Sequence, residues 1–290
     1  MGFTSYSVAD RNLRSKTLGY ETNSINQNFT QREVKSEMNP KGIAVREARD
    51  SDAHPNTVPI ILGLDVTGSM GRIPQFLITK GLPKIMGRLM QHGIEDASLL
   101  FTAIGDHECD NSPLQVGQFE SGDKELDNWL TSTYLEGGGG GNAGESYLLA
   151  WYFAAYHTKI DAFEKRNEKG FLITVGDEPN LPELPQSAIK AIMGDTAVGQ
   201  EDFTAAELYK AASEKYHVYH INLEDGFAGT RDTTINPWKQ MLGDNFISIK
   251  HHTDLAQTIV DTVLTNYHET VAYDVEEENK EQQNEDKIML

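Results

Sequence analysis

Cysteine is all but missing. Cys109 is the only one in 290 residues, so no internal disulfide staples the fold, and the usage points to a reducing compartment. Long apolar runs are missing too: none approaches the ~18 residues that a membrane-spanning helix needs. The first sixteen residues lack the apolar middle of a secretory leader. Basic charge is scarce, with 25 Lys and Arg against 44 Asp and Glu and a formal net charge of −19. Such a surface repels phosphate and argues against nucleic acid or an anionic membrane as partner. Glycine is plentiful at 25 residues, yet no Gly-Lys-Ser/Thr follows the glycine-rich stretch, which excludes a phosphate-binding P-loop. The compartment expected from these features is the cytoplasm, or a virion if the chain is phage-encoded.

What the chain does have is material for a core. Hydrophobic residues make up 38% and charged ones 24%, ordinary values for a folded chain of one large domain or two small ones. Three regions differ in character. Residues 1–45 are rich in Asn, Ser, Thr and Gln, with six basic and four acidic side chains, and read as an extended N-terminal arm. Residues 273–290 carry seven acids against two lysines and read as a disordered acidic tail.

Residues 46–272 alternate strand and helix signals. Short apolar runs at 58–64, 97–104, 170–175, 216–223 and 245–249 read as strands, with 114–119 as a short edge strand. Helical patterns fall at 74–92, 123–131, 143–157, 182–193, 203–215, 237–242 and 253–267. Gly81 and Pro83 are expected to kink or break the first. In the last, Leu255, Ile259, Val263 and Tyr267 share a face. This alternation predicts an α/β fold with a doubly wound, mostly parallel central sheet and helices on both faces.

In such sheets ligands bind beyond the carboxyl ends of the strands. The first apolar strand ends in Asp65-Val66-Thr67-Gly68-Ser69-Met70-Gly71. One carboxylate and two hydroxyls, spaced by two, converge across a tight loop. Oxygen donors without His or Cys suit Mg²⁺, and next Mn²⁺ or Ca²⁺, rather than Zn²⁺. The competing structural account is an Asx or ST turn leading into the next helix. A second carboxylate, Asp177, follows the 170–175 strand. Between the two lies a run of five glycines, Gly137 to Gly141, continuing into Asn142-Ala143-Gly144-Glu145. Glycines let backbone approach a ligand closely, and Asn142 or Glu145 offers a further oxygen.

The stretch Asp65-x-Thr67-Gly68-Ser69-Met70-Gly71 after an apolar strand resembles the metal-ion-dependent adhesion site of von Willebrand factor type A (vWA) domains. The nearest likeness is to the alpha-kinase-associated and bacterial or phage branch. Asp177 matches the Asp of the third family loop. Asn142, beside Gly141, stands where the family has Thr or Asp. Asp106, in Ile104-Gly105-Asp106-His107, resembles a segment of the same branch. The likeness covers about residues 55–268 and implies a Rossmann-like binding module, not an enzyme. Asp65, Thr67, Ser69, Asn142 and Asp177 would hold one Mg²⁺. Asp106, Glu145 and Gly141 would be supporting or alternative ligands. An open coordination position would capture an Asp or Glu carboxylate of a partner protein, in assembly of a complex. The rival is a Mg²⁺-dependent phosphohydrolase or phosphotransferase of the haloacid dehalogenase type, with Asp65 as nucleophile. Against it, Leu181 stands where that superfamily's last Asp belongs, and the glycine run has no role there.

Overall fold

The computed structural model describes residues 4–68, 70–137 and 144–267. Among the described residues ten strands run in chain order: β1 Arg46–Ala48, β2 Val58–Asp65, β3 Ala97–Ile104, β4 Leu114–Val116, β5 Thr158–Ile160, β6 Gly170–Gly176, β7 Glu183–Leu184, β8 Phe203–Thr204, β9 Tyr216–Leu223 and β10 Phe246–Ile249. Six of them form the central sheet, in the order β10-β9-β6-β2-β3-β4. All pairs are parallel except the edge pair β3 and β4. The expected α/β architecture is present.

Alternation along each strand divides the core between two faces. Ile60, Leu62 and Leu64 of β2 join Phe171, Ile173 and Val175 of β6 on one side. The helices Leu82–Gln91 and Asp123–Thr131 and the helix over 255–267 cover that side. Ile61, Leu100 and Leu172 face the other way. There they meet the helices Leu148–Tyr156, Gln186–Met193, Ala205–Lys215 and Asp232–Leu242. Strands buried on both faces explain the unbroken apolar runs. No helix among the described residues is long and apolar enough to cross a membrane.

Several boundaries differ from expectation. The helix around Pro83 does not break. Arg72–Phe76 is α-helical, Leu77–Gly81 widens into a π-turn, and Leu82–Gln91 resumes with Pro83 in its first turn. Proline lacks an N–H and crowds the carbonyl four residues back, and a π-turn removes that conflict. The helix expected from residue 143 begins at Leu148. Glu145 is instead bridged to Asn180, its N–H donating to the Pro179 carbonyl at 3.0 Å while its own carbonyl accepts from Leu181 N at 3.1 Å. The helix expected from Pro182 begins at Gln186, because Glu183–Leu184 pairs with Phe203–Thr204. The short β1–β5 pair and the helix Asp161–Arg166 carry too little pattern to be anticipated.

The arm lies on the domain. Within the expected extended arm, residues 8–18 form a helix, capped by the Ser7 hydroxyl and closed by Gly19 at φ 72°, a left-handed value that suits glycine. Tyr6, Tyr20 and Phe29 belong to the main core. Arg11 is fully buried, its Nε 2.7 Å from Asp127 Oδ1 and its guanidinium also donating to the Ile78 carbonyl. Arg14 Nε reaches the other Asp127 oxygen at 2.9 Å. The arm is stitched to the domain by charge inserted into the core, a pattern that composition alone does not disclose. Residues 268–290, which include the acidic tail, lie outside the described residues.

Removing one partner of a buried ion pair strands the other charge. Asp127→Ala should therefore lower unfolding free energy by about 3–5 kcal/mol, measured by denaturant titration. The exposed ion-pair change Glu47→Ala should cost under ~1 kcal/mol.

Candidate functional site

β2 is where the sheet order reverses. The chain passes from β2 to β3 on one side and later returns to β6 on the other. Crevices of this kind lie at the carboxyl ends of the two strands that flank the reversal. Asp65 closes β2, and Asp177 follows the last residue of β6. Leu64 is paired with Val175, so Asp177 leaves the neighbouring strand one residue beyond the level of Asp65. Both are fully buried.

Each carboxylate is held by donors. Asp65 Oδ1 accepts from Thr67 N at 2.9 Å and from Thr67 Oγ1 at 2.6 Å. That contact is the Asx-type turn the sequence allowed for. Asp65 Oδ2 accepts from the Tyr147 hydroxyl at 2.9 Å. Asp177 Oδ2 accepts from Phe227 N and, at 3.4 Å, from Ala228 N. Two glycines make room: a Cβ on Gly176 would collide with the Tyr147 hydroxyl, and one on Gly226 with the Asp177 carboxylate. The requirement here is close approach, not unusual backbone angles.

Glu145 is the third acid. It is 5% exposed, and its Oε2 has no hydrogen-bond partner among the described residues. Burial pushes the Asp65 carboxyl well above the usual carboxylate range, the hydrogen bonds from Thr67 pull it back, and Asp177 raises it further. Glu145 is pushed up by burial, then by Asp65, Asp110, Asp106 and Glu178. The Tyr147 phenol is raised by burial and by the neighbouring Asp65, Glu145 and Asp177. These are the marks of negative charge crowded away from water.

Asp106 sits on the flank of this cluster. Its Oδ1 accepts from Glu108 N at 2.9 Å and lies 3.4 Å from Ser146 Oγ. Ser146 Oγ also accepts from His107 N at 2.9 Å and contacts His107 Nδ1 at 2.7 Å. Asp106 thus braces the segment Glu145–Tyr147 from outside. Thr67 lies directly beside Asp65. Ser69, Gly141 and Asn142 lie outside the described residues. Among the described residues, no three Asp, Glu, His or Cys side chains form a group that could hold an ion by themselves, so an ion here would need hydroxyl and water oxygens as well.

Sequence reasoning missed Tyr147. It reads as one more aromatic in an apolar helix, and most of its ring does pack as core, edge-on to His220 and Trp238. Only the hydroxyl belongs to the site. The Phe227 and Ala228 amides were equally hidden, because backbone donors leave no mark in side-chain chemistry. His220 is core, stacked on Trp238 at 3.8 Å between ring centres, and burial depresses its basicity to about 3.

No family model matches the chain, and no curated protein matches it. Among solved structures, the pilus adhesin SpaC from Lactobacillus rhamnosus GG, in its open conformation, is similar at 10% identity and a TM-score of 0.48 over 75% of this chain and 30% of that one. Proximal thread matrix protein 1 from the mussel byssus is similar at 10% identity and a TM-score of 0.43 over 70% of this chain and 47% of that one. The chain spans under half the length of either structure. These likenesses carry no argument about function.

Asp65 holds its proton more tightly in the fold than in the unfolded chain, where the ordinary carboxylate value applies. Its contribution to stability is therefore complete in acid and is lost as pH rises through the raised value. In chelator at pH 8, Asp65→Asn should stabilise the protein by at least ~1 kcal/mol and flatten this pH dependence. Tyr147→Phe removes a donor from the same buried carboxylate and should destabilise by about 1–3 kcal/mol. Thermal unfolding of both variants from pH 5 to 8 checks the opposite signs.

Proposed function

We propose that the chain is a divalent-cation-dependent protein-binding module of vWA character. One Mg²⁺, or Mn²⁺ or Ca²⁺ in its place, would be held through Asp65, Thr67 and Asp177. Ser69 and Asn142 would complete the set from loops outside the described residues. The observation that carries this reading is the pair of fully buried carboxylates at the reversal of the sheet, with an unpartnered Glu145 oxygen beside them.

Burying like charges together is costly unless a cation or protons compensate. The donors present fit a hard cation. Thr67 gives its hydroxyl proton to Asp65, which leaves oxygen lone pairs available to a metal. The neighbouring groups are oxygen donors, as Mg²⁺ prefers, and an ion that keeps water ligands can exchange one for a partner's carboxylate. Tyr147 and the Phe227 and Ala228 amides would hold the two aspartates in place, much as outer hydrogen bonds orient the ligands of other metal sites. No catalytic step is required of any residue. Both Asp65 oxygens are engaged by donors, which suits a held ligand better than an attacking nucleophile.

Calorimetric titration of the full chain with Mg²⁺ should give one-site binding. Asp65→Ala should weaken it by at least tenfold, about 1.4 kcal/mol. Equal heats in the two proteins would overturn the reading. At a hundredfold excess over Kd, the ion should add about 2.7 kcal/mol to wild-type stability.

A further inference from the structure

Phe227 is 70% exposed, the highest value among the large exposed hydrophobic residues described. A single exposed aromatic is unremarkable on a surface, but this one is tied to the candidate site. Its own N–H donates to Asp177 Oδ2, and the preceding Gly226 packs so closely on that carboxylate that a Cβ there would overlap it. The main chain that carries the ring is therefore held against Asp177. The Arg231 guanidinium lies over the ring, 4.3 Å from its centre. Arg231 is exposed and close enough to Glu178 to draw that carboxyl down, against the upward push of burial and Asp177. Across the same loop Arg72, from the segment that follows Asp65, donates to the Asp225 carbonyl and lies 3.2 Å from its carboxylate.

An aromatic ring and two guanidiniums thus border the two buried aspartates, on a chain whose net charge is −19. Arg72 is already paired with Asp225, whereas the exposed Arg231 offers a guanidinium with which a partner's carboxylate can pair. Aromatic and Arg side chains together are also the residue types that most often anchor protein interfaces, and a ring stacked under Arg is held ready for contact.

We propose that Phe227 and Arg231 form the recognition rim of the cation site. Its partner is an acidic peptide segment with three features: a carboxylate directed to the ion, an apolar side chain packed on Phe227, and a second carboxylate paired with Arg231. This inference rests on the cation-binding reading above and specifies its partner.

The test is selection on the immobilised full chain, in Mg²⁺, from a display library of nonapeptides with a fixed central Asp and randomised flanks. Enriched peptides should carry an apolar residue and a second acid near that Asp. Their affinity should fall at least tenfold for Phe227→Ser, and at least threefold for Arg231→Gln with the loss confined to peptides holding the second acid. Arg231→Gln should keep the wild-type heat of Mg²⁺ binding, which shows that the site is intact in that variant. Failure to enrich any peptide overturns the rim, as does binding to Phe227→Ser within twofold of wild type while the Mg²⁺ heat is retained. Peptides that bind equally in chelator yet are lost by Phe227→Ser would overturn the cation reading and leave the rim standing. The two failures are therefore distinguishable.

Discussion

Two carboxylates that cannot reach water share the carboxyl edge of two neighbouring parallel strands, and much of the surrounding architecture answers that constraint. Asp65 and Asp177 are fully buried. A phenol, a hydroxyl and three backbone amides are aimed at them. Gly176 and Gly226 have no side chain because the neighbouring groups occupy the space. Even so, the donors leave Asp65 raised and Glu145 with an oxygen unanswered. The network organises negative charge without neutralising it.

The same acidic chain uses several of its arginines to tie separate elements together. Arg11 and Arg14 pin the N-terminal helix onto Asp127 and Asp123. Arg49 gathers Glu47, Asp161 and Glu164, and Arg166 joins Asp50 to Glu168. The guanidinium fork suits such multi-partner work better than a lysine ammonium does. These clusters hold the chain before β2 against elements far from it in sequence, so the first fifty residues are a working part of the domain rather than an appendage.

Much of the sheet was legible because parallel strands buried on both faces must be apolar throughout, and the runs at 58–64, 97–104 and 170–175 say so directly. The candidate ligands Asp65 and Asp177 were legible for a related reason: a charge that ends an apolar run falls at the strand's carboxyl end. What stayed hidden depends on long-range placement. The Val8–Leu18 helix has almost no apolar face of its own, and its burial depends on Asp127, more than a hundred residues away. Tyr147 looks like core because its ring is core. Glu145 sits where helix pattern begins, but pairing with residues 179–181 keeps it extended.

That last pairing has a mechanical consequence. Glu145 and Leu181 grip each other's backbone by the same kind of bond that joins strands in the sheet. The chain leaving the glycine run is thereby riveted to the chain leaving Asp177. Tension applied to either side is shared by both, and neither can swing outward alone. Whatever seats itself over this end of the molecule meets one joined surface, not two separate flaps.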